Sequence, residues 1–536
     1  MTKLKITALL VGLLTAAALA TACSDKPNPP IDTTPDTPAA VETVATPETE
    51  GENTMPETEE ETTEAETECR ILFEDNFDGA ELDAAKWNLG TPENQPAKTA
   101  DVRLWDPAMV ALDQENGHLL LKMEWDNEAK KARTGAVTSQ GLFEAGYGYY
   151  EASVKFPLTY GRSNCFTITA GATSIDILRS INGRDAVTYE HKLSGGGNDT
   201  VTVAALEKNL INIYDGRFHT FGVLRAPEGY TFYIDGRESE FIPADQFAPT
   251  PEDGFLSLCW EAAKADGAGR NESQNSTPAE MIVDYVRVYS SLPESLGKAV
   301  NTEPELLFTD DFEGTEIDFT KWRYAPEWTR NDYCYWSNEM SGLDGEGHLA
   351  TKMEWDPERN RLKSGALWSA SDYGYGYYEA SIKFPKAYGT WGAFWMMCGD
   401  VWKESAADGV EIDILESINN ESGAYNHALH SNYASLNSLG PTKLFQADIY
   451  DGEYHTFGVL RSENGYFFYV DRKLSGLVPH YKYTPCPIPG RMELTVEAAD
   501  WAGAGTPECL EQLPSQMLTD YVRVYSAMPD LDAIGQ

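Results

Sequence analysis

The chain has 536 residues, a formal net charge of −44 at pH 7, and 42% hydrophobic and 11% aromatic residues. That apolar content excludes disorder throughout and suffices for two or more cores. The charge disfavours polyanionic partners, so neither nucleic acid nor an anionic membrane surface is expected, and a neutral partner is favoured. The many Trp and Tyr suit sugars, because flat apolar faces pack on pyranose rings while carboxylates and amides bond the hydroxyls.

The first 22 residues have the pattern of an export signal: Lys3 and Lys5, an apolar run from Ile6 to Ala20, then small residues before Cys23. The run is short for a membrane-spanning helix. Leu19-Ala20-Thr21-Ala22-Cys23 resembles a bacterial lipoprotein processing site, which implies a lipidated Cys23 as the mature N-terminus. That would anchor the chain in a membrane at the extracellular face of a bacterial cell envelope. An ordinary signal peptide ending near a cysteine is the alternative, and Ala20, where leucine is commoner, favours it.

Residues 23–69 are almost entirely Thr, Pro, Glu, Asp and Ala, which cannot bury enough apolar surface to offset ordering entropy. They read as a disordered tether with an end-to-end distance of roughly 35 to 40 Å. Apart from Cys23, the chain holds Cys69, Cys165, Cys259, Cys334, Cys398, Cys486 and Cys509, an odd count without metal-ligand spacing. Most read as buried thiols, and a Cys486–Cys509 disulfide is open.

Everything beyond the tether reads as a tandem duplication. Lys86-Trp87 answers to Lys321-Trp322, the string Gly146 to Pro157 to Gly374 to Pro385, and Asp284 to Ser290 to Asp520 to Ser526. Two domains follow, 70–293 and 304–528. Within each, runs such as Tyr150-Glu151-Ala152-Ser153-Val154-Lys155-Phe156 alternate with a period of two, and Asp215-Gly216 and Asp235-Gly236 mark turns. The expected fold is all-β: two tandem concanavalin-like jelly-roll sandwiches, each with one sheet face free to form a cleft.

The chemistry concentrates in Glu411-Ile412-Asp413-Ile414-Leu415-Glu416. On a regular strand Glu411 and Asp413 share a face and Glu416 points away. A β-bulge at Ile414 or Leu415 would return Glu416 to the face of the other two. Two carboxyls so placed approach the roughly 5 to 5.5 Å separation of retaining glycoside hydrolysis, one attacking and the other donating a proton. The first copy reads Ser174-Ile175-Asp176-Ile177-Leu178-Arg179, with both glutamates lost; an Arg179–Asp176 ion pair is the simplest expectation there.

With that run, the paired Lys-Trp motifs and the terminal Asp-Tyr-Val-Arg-Val-Tyr strands, the chain resembles glycoside hydrolase family 16, in its laminarinase-like branch with the bulged ExDxxE signature. The resemblance implies a concave β-jelly roll and retaining, endo-acting cleavage of a β-linked polysaccharide, β-1,3(4)-glucan first, by the second domain. It implies Glu411 as nucleophile, Asp413 as its helper and Glu416 as general acid/base. Trp391, Trp395, His430 and Trp501 are the implied substrate-binding residues, whereas His427 reads as structural because the first copy keeps His191.

The first domain departs at each cleft position: the tryptophan strand becomes Gly161-Arg162-Ser163-Asn164-Cys165-Phe166, Ser194 stands for His430 and Ala265-Asp266 for Asp500-Trp501. It reads as degenerate and non-catalytic, with a structural, docking or glycan-binding role. The alternatives are a non-catalytic glycan-binding surface lipoprotein, and an endo-β-galactanase or transglycosylase of the same fold. The chemistry requires no cofactor and no catalytic metal, while a structural Ca²⁺ is common in resembling domains, with Asp284 and Asp520 as candidate contributors. Loops Trp328 to Asn338 and Asn432 to Phe445 are expected to shape the cleft.

Overall fold

The computed structural model describes residues 68–90, 102–182, 187–196, 200–204, 211–262, 270, 274–327, 329–418, 424–435, 437–444 and 446–534. The signal peptide, Cys23, all but the last two tether residues, Asp266 and Trp328 lie outside the described residues.

The fold is all-β. Among the described residues, four sheets of ten, seven, eleven and seven strands assemble as two sandwiches, the first from strands between Ile71–Asp75 and Ala279–Tyr289, the second from strands between Leu306–Asp310 and Ser515–Tyr525. Each sandwich closes in the same way at its start. The Trp87 indole donates to Asp75 (2.8 Å), and the Trp322 indole to Asp310 (2.7 Å), so the Lys-Trp motif pins the first strand of each unit. The alternation of Gly148–Lys155 predicts one buried face, yet both are buried. The outward carboxylate of Glu151 is held by Tyr149 (2.9 Å) and Tyr285 (2.8 Å). The segment around Gly297 lies over it, so closely that a Cβ at 297 would meet a Glu151 oxygen at 2.3 Å.

The sandwiches are joined by a shared apolar layer. Leu460, Phe467, Leu474 and Leu477, on the outer face of the eleven-stranded sheet, are buried in the same cluster as the first sandwich's core. At the matching positions of the first sandwich stand Leu224, Thr231, Glu238 and Phe241, and Phe241 is 44% exposed. The covered face thus belongs to the second sandwich alone. Asn212 donates to the Tyr469 hydroxyl (2.8 Å), Arg217 to the carbonyl of Pro529 (2.8 Å), and Tyr160 meets Tyr481 edge-on at 5.2 Å. None of the seven cysteines from Cys69 onward is in a disulfide; Cys486 and Cys509 are separate buried thiols, so the pairing considered from sequence does not form.

Candidate active site

The strand Gly409–Ile418 carries the bulge. Against Thr390–Gly399 its register runs Asp413 to Trp395 and then Leu415 to Phe394, leaving Ile414 as the extra residue. Against Ala424–Ser431 it runs Asp413 to Ala428 and then Glu416 to Asn426, so Ile414 and Leu415 together face His427. Ile412, Ile414 and Leu415 all sit in the apolar core, which leaves Glu411, Asp413 and Glu416 together on the opposite, open face.

Register across the seven-stranded sheet sets out that face in rows. Glu411 lies opposite His430 on one side and Met397 on the other; Asp413 opposite Trp395, which in turn lies opposite Glu493. Glu416 is flanked by Asn426 and Ala393, and Trp391 faces Glu497. The small side chain of Ala393 leaves room beside Glu416.

Asp413 is 3% exposed, and its Oδ2 lies 3.0 Å from Nε2 of His430. The other imidazole nitrogen meets Ser438 Oγ at 2.6 Å. Burial works against the His430 charge, but the bond to Asp413 and the acids around it prevail and raise it to about 9, so the ring is an imidazolium at neutral pH. Burial first, then the Asp413 charge, pushes Glu411 up to about 7, while the Tyr433 hydroxyl, which donates to Glu411 Oε2, and His430 pull it back. Glu416 is raised further still, by burial and then by Asp413 and Glu411. Two carboxyls are thus set to titrate apart, the pattern of one ionised attacker and one retained proton.

Of the residues expected to bind substrate, Trp391 and Trp501 come together, with ring centroids 5.1 Å apart and planes at 34°. Trp501 is 42% exposed and offers an open face. Trp395 is placed differently: it is buried, its indole 3.2 Å from Thr495 Oγ1, and packs with Trp336 and Ala366 as floor. His427 lies behind the sheet, in the interior.

Sequence reasoning missed Tyr433, Arg330, Trp336, Trp368, Glu493 and Glu497. Arg330 bonds Glu497 (3.0 Å) and stacks over Trp336 at 4.7 Å; Arg491 stacks over Trp368 at 4.2 Å. Arg330, Trp336 and Tyr433 fall in the two loops expected to shape the cleft. Glu493 and Glu497 had a legible signal, since Arg491-Met492-Glu493-Leu494-Thr495-Val496-Glu497 alternates polar and apolar with period two.

In the first sandwich the bulge persists, with Ile177 as the extra residue, but the acids are gone. Arg179 pairs with Glu190 (3.5 Å), while Asp176 accepts from Thr167 (3.0 Å) and has the Arg179 charge close enough to work against the effect of its burial.

Donor atoms of Glu411, Asp413 and His430 lie within 4.8 Å of one another, the one such group found among the described residues. A cation bound there would have to displace the His430 proton and its bond to Asp413. Asp520 lines a surface hollow that it shares with Arg472 and Arg523.

This electrostatic arrangement predicts a bell-shaped profile of kcat/KM against pH. The acid limb falls near 7, as the Glu411 cluster loses its proton, and the alkaline limb follows loss of the Glu416 proton. His430 lowers both carboxyls, so His430→Gln is expected to move both limbs to higher pH; unmoved limbs in initial-rate measurements would contradict the assignment.

Residues 305–527 match the family model described as beta-porphyranase A–D, GH16 domain. The chain is 25% identical over 258 residues to glucan endo-1,3-beta-glucosidase A1 of Niallia circulans, a match covering 41% of this chain and 37% of that protein. It is 26% identical over 244 residues to beta-porphyranase E of Zobellia galactanivorans, covering 41% and 87%. The chain thus spans little more than a third of the first relative and most of the second. Among solved structures, LamAcat from Zobellia galactanivorans is 23% identical, with 41% of this chain and 97% of that chain covered and a TM-score of 0.36.

Proposed function

We propose that the second sandwich, whose residues 305–527 match the GH16 family model, is a retaining, endo-acting glycosidase whose substrate is a β-linked polysaccharide, β-1,3(4)-glucan first. Glu411 attacks the anomeric carbon, Glu416 protonates the leaving oxygen and then activates water, and Asp413 with His430 holds the proton balance. The observation that carries this reading is the bulge at Ile414, which turns Glu416 to the side of Glu411. No metal or cofactor takes part in these steps.

The first sandwich, 70–293, is read as a non-catalytic companion, and the boundaries 70–293 and 304–528 divide the roles. Residues 1–22 are read as a removed lipoprotein signal, Cys23 as the lipid anchor, and 23–69 as the tether that holds the enzyme off the outer face of a bacterial envelope. Loss of membrane fractionation in Cys23→Ala would support the anchor, and unchanged fractionation would sink it. No helix among the described residues is long and apolar enough to cross a membrane.

A second reading is favoured by the family model itself: the porphyranase match points to porphyran as substrate. A reducing-end assay of the full chain on laminarin, lichenan, agarose and porphyran distinguishes the two. No product from any of them would leave a glycan-binding lipoprotein, and lengthened products with added acceptor would mark a transglycosylase. Because Trp501 offers its open face beside Trp391, Trp501→Ala is expected to raise KM about 10-fold with kcat little changed, from the loss of stacking area. A fall in kcat at constant KM would place Trp501 elsewhere.

A further inference from the structure

The bulge leaves the Ile414 carbonyl out of the regular ladder, and a buried carbonyl without a donor is costly. His427 supplies that donor. Its Nδ1 lies 2.5 Å from the Ile414 carbonyl, and its Nε2 lies 2.8 Å from Ser475 Oγ on Lys473–Pro479 of the opposite sheet. A carbonyl accepts only, so Nδ1 carries the proton, and the Nε2 of the neutral ring takes the single Ser475 hydroxyl proton, which also has the Phe468 carbonyl within reach at 3.1 Å. Burial keeps the ring neutral, lowering it to about 4. The ring is also stacked on Phe468 at 4.9 Å, which fixes its plane.

The first sandwich repeats the bracket. His191 Nδ1 lies 2.5 Å from the Ile177 carbonyl, Nε2 lies 2.5 Å from Ser239 Oγ, and the ring stacks on Phe232 at 4.4 Å. The device therefore belongs to the bulge and persists where the acids have been lost. In the second sandwich alone it has a chemical consequence, because Glu416 leaves the strand two residues beyond Ile414.

We infer that His427, braced by Ser475 across the sandwich, is a positioning residue that locks the Ile414 bulge and thereby fixes where the Glu416 carboxyl stands relative to Glu411. This rests on the glycosidase reading above. His427 touches no substrate. Releasing the carbonyl lets the bulge relax or migrate, and a displacement of about 1 Å at a catalytic group can cost on the order of 100-fold in rate.

The test uses the full chain with three variants. His427→Gln places its amide where Nε2 was and loses the carbonyl; His427→Asn places its amide near Nδ1 and keeps it. His191→Gln makes the same change in the sandwich without the acids. The expected result is a kcat at least about 10-fold lower for His427→Gln with KM unchanged, and substantial recovery in His427→Asn. His191→Gln should lower the melting temperature while leaving kcat at the wild-type value. A folded His427→Gln with wild-type kcat, or Gln and Asn variants equally impaired, would overturn the inference. If the His427 variants do not fold, Ser475→Ala carries the same kcat test, and a wild-type kcat there overturns it. A wild-type chain that turns over none of the four polysaccharides defeats the glycosidase reading first, so the two failures are distinguishable.

Discussion

Glu411→Gln and Glu416→Gln, each made in the full chain, are expected to lower turnover of the polysaccharide by about 1,000-fold or more, since each removes a group that no neighbour replaces. The two should differ in kind. An aryl glycoside whose leaving group departs without a proton should spare Glu416→Gln in the first step and leave Glu411→Gln dead. Equal losses on both substrates would contradict the division of roles. Stability should move the other way. Glu416 is a carboxyl whose folded pKa lies above its unfolded value, so the stability linked to its proton is present below about 4.5 and is lost as pH rises toward the folded value. Glu416→Gln carries no such loss. Its melting temperature should match wild type near pH 4 and exceed it at pH 8, by about 2 to 4 °C for each kcal/mol recovered. A variant less stable than wild type at pH 8 would mean that Glu416 is held by partners, not merely desolvated.

The second large effect is expected far from the cleft. Leu474 is 1% exposed in the layer between the sandwiches, where the first sandwich has Glu238 at the same place. Leu474→Glu removes a buried side chain and forces a carboxylate into an apolar contact, at a cost of about 3 to 5 kcal/mol if the sandwiches stay docked. That cost is bounded by undocking. The expected outcome is therefore a scan with two transitions where wild type shows one, a larger hydrodynamic radius, and a cleft that still turns over substrate at low temperature. A single unshifted transition would show that the layer contributes little to the union. Under the proposed reading, such docking gives the first sandwich a role without chemistry: it covers an apolar face of the second sandwich that would otherwise meet water.

Much of this was legible in the sequence for identifiable reasons. Period-two alternation and turn dipeptides forecast strands, and internal repetition forecast two sandwiches of the same kind. Parity alone forced the bulge: three acids at 411, 413 and 416 share a face only if one residue is extra, and Ile414 is that residue. His430 was named from the family resemblance, but its bond to Asp413 was not forecast. What stayed hidden depends on contacts between distant segments. Trp395 reads as a platform from its strand, yet it is only 7% exposed and shares a buried cluster with Trp336, more than fifty residues earlier. Tyr433 reaches Glu411 from a loop whose course no local pattern announces. The docking layer was hidden for a related reason, because Leu474 and Leu477 look like ordinary strand residues until they are compared with Glu238 and Phe241 in the first copy.

The most direct test is the anomeric configuration of the first product, followed by proton NMR before mutarotation on whichever polysaccharide the wild-type chain cleaves. Three acids gathered by the Ile414 bulge predict retention, a β-configured reducing end formed first. An α-configured first product would require carboxyls roughly 6.5 to 9.5 Å apart with a water between them, and would contradict the account.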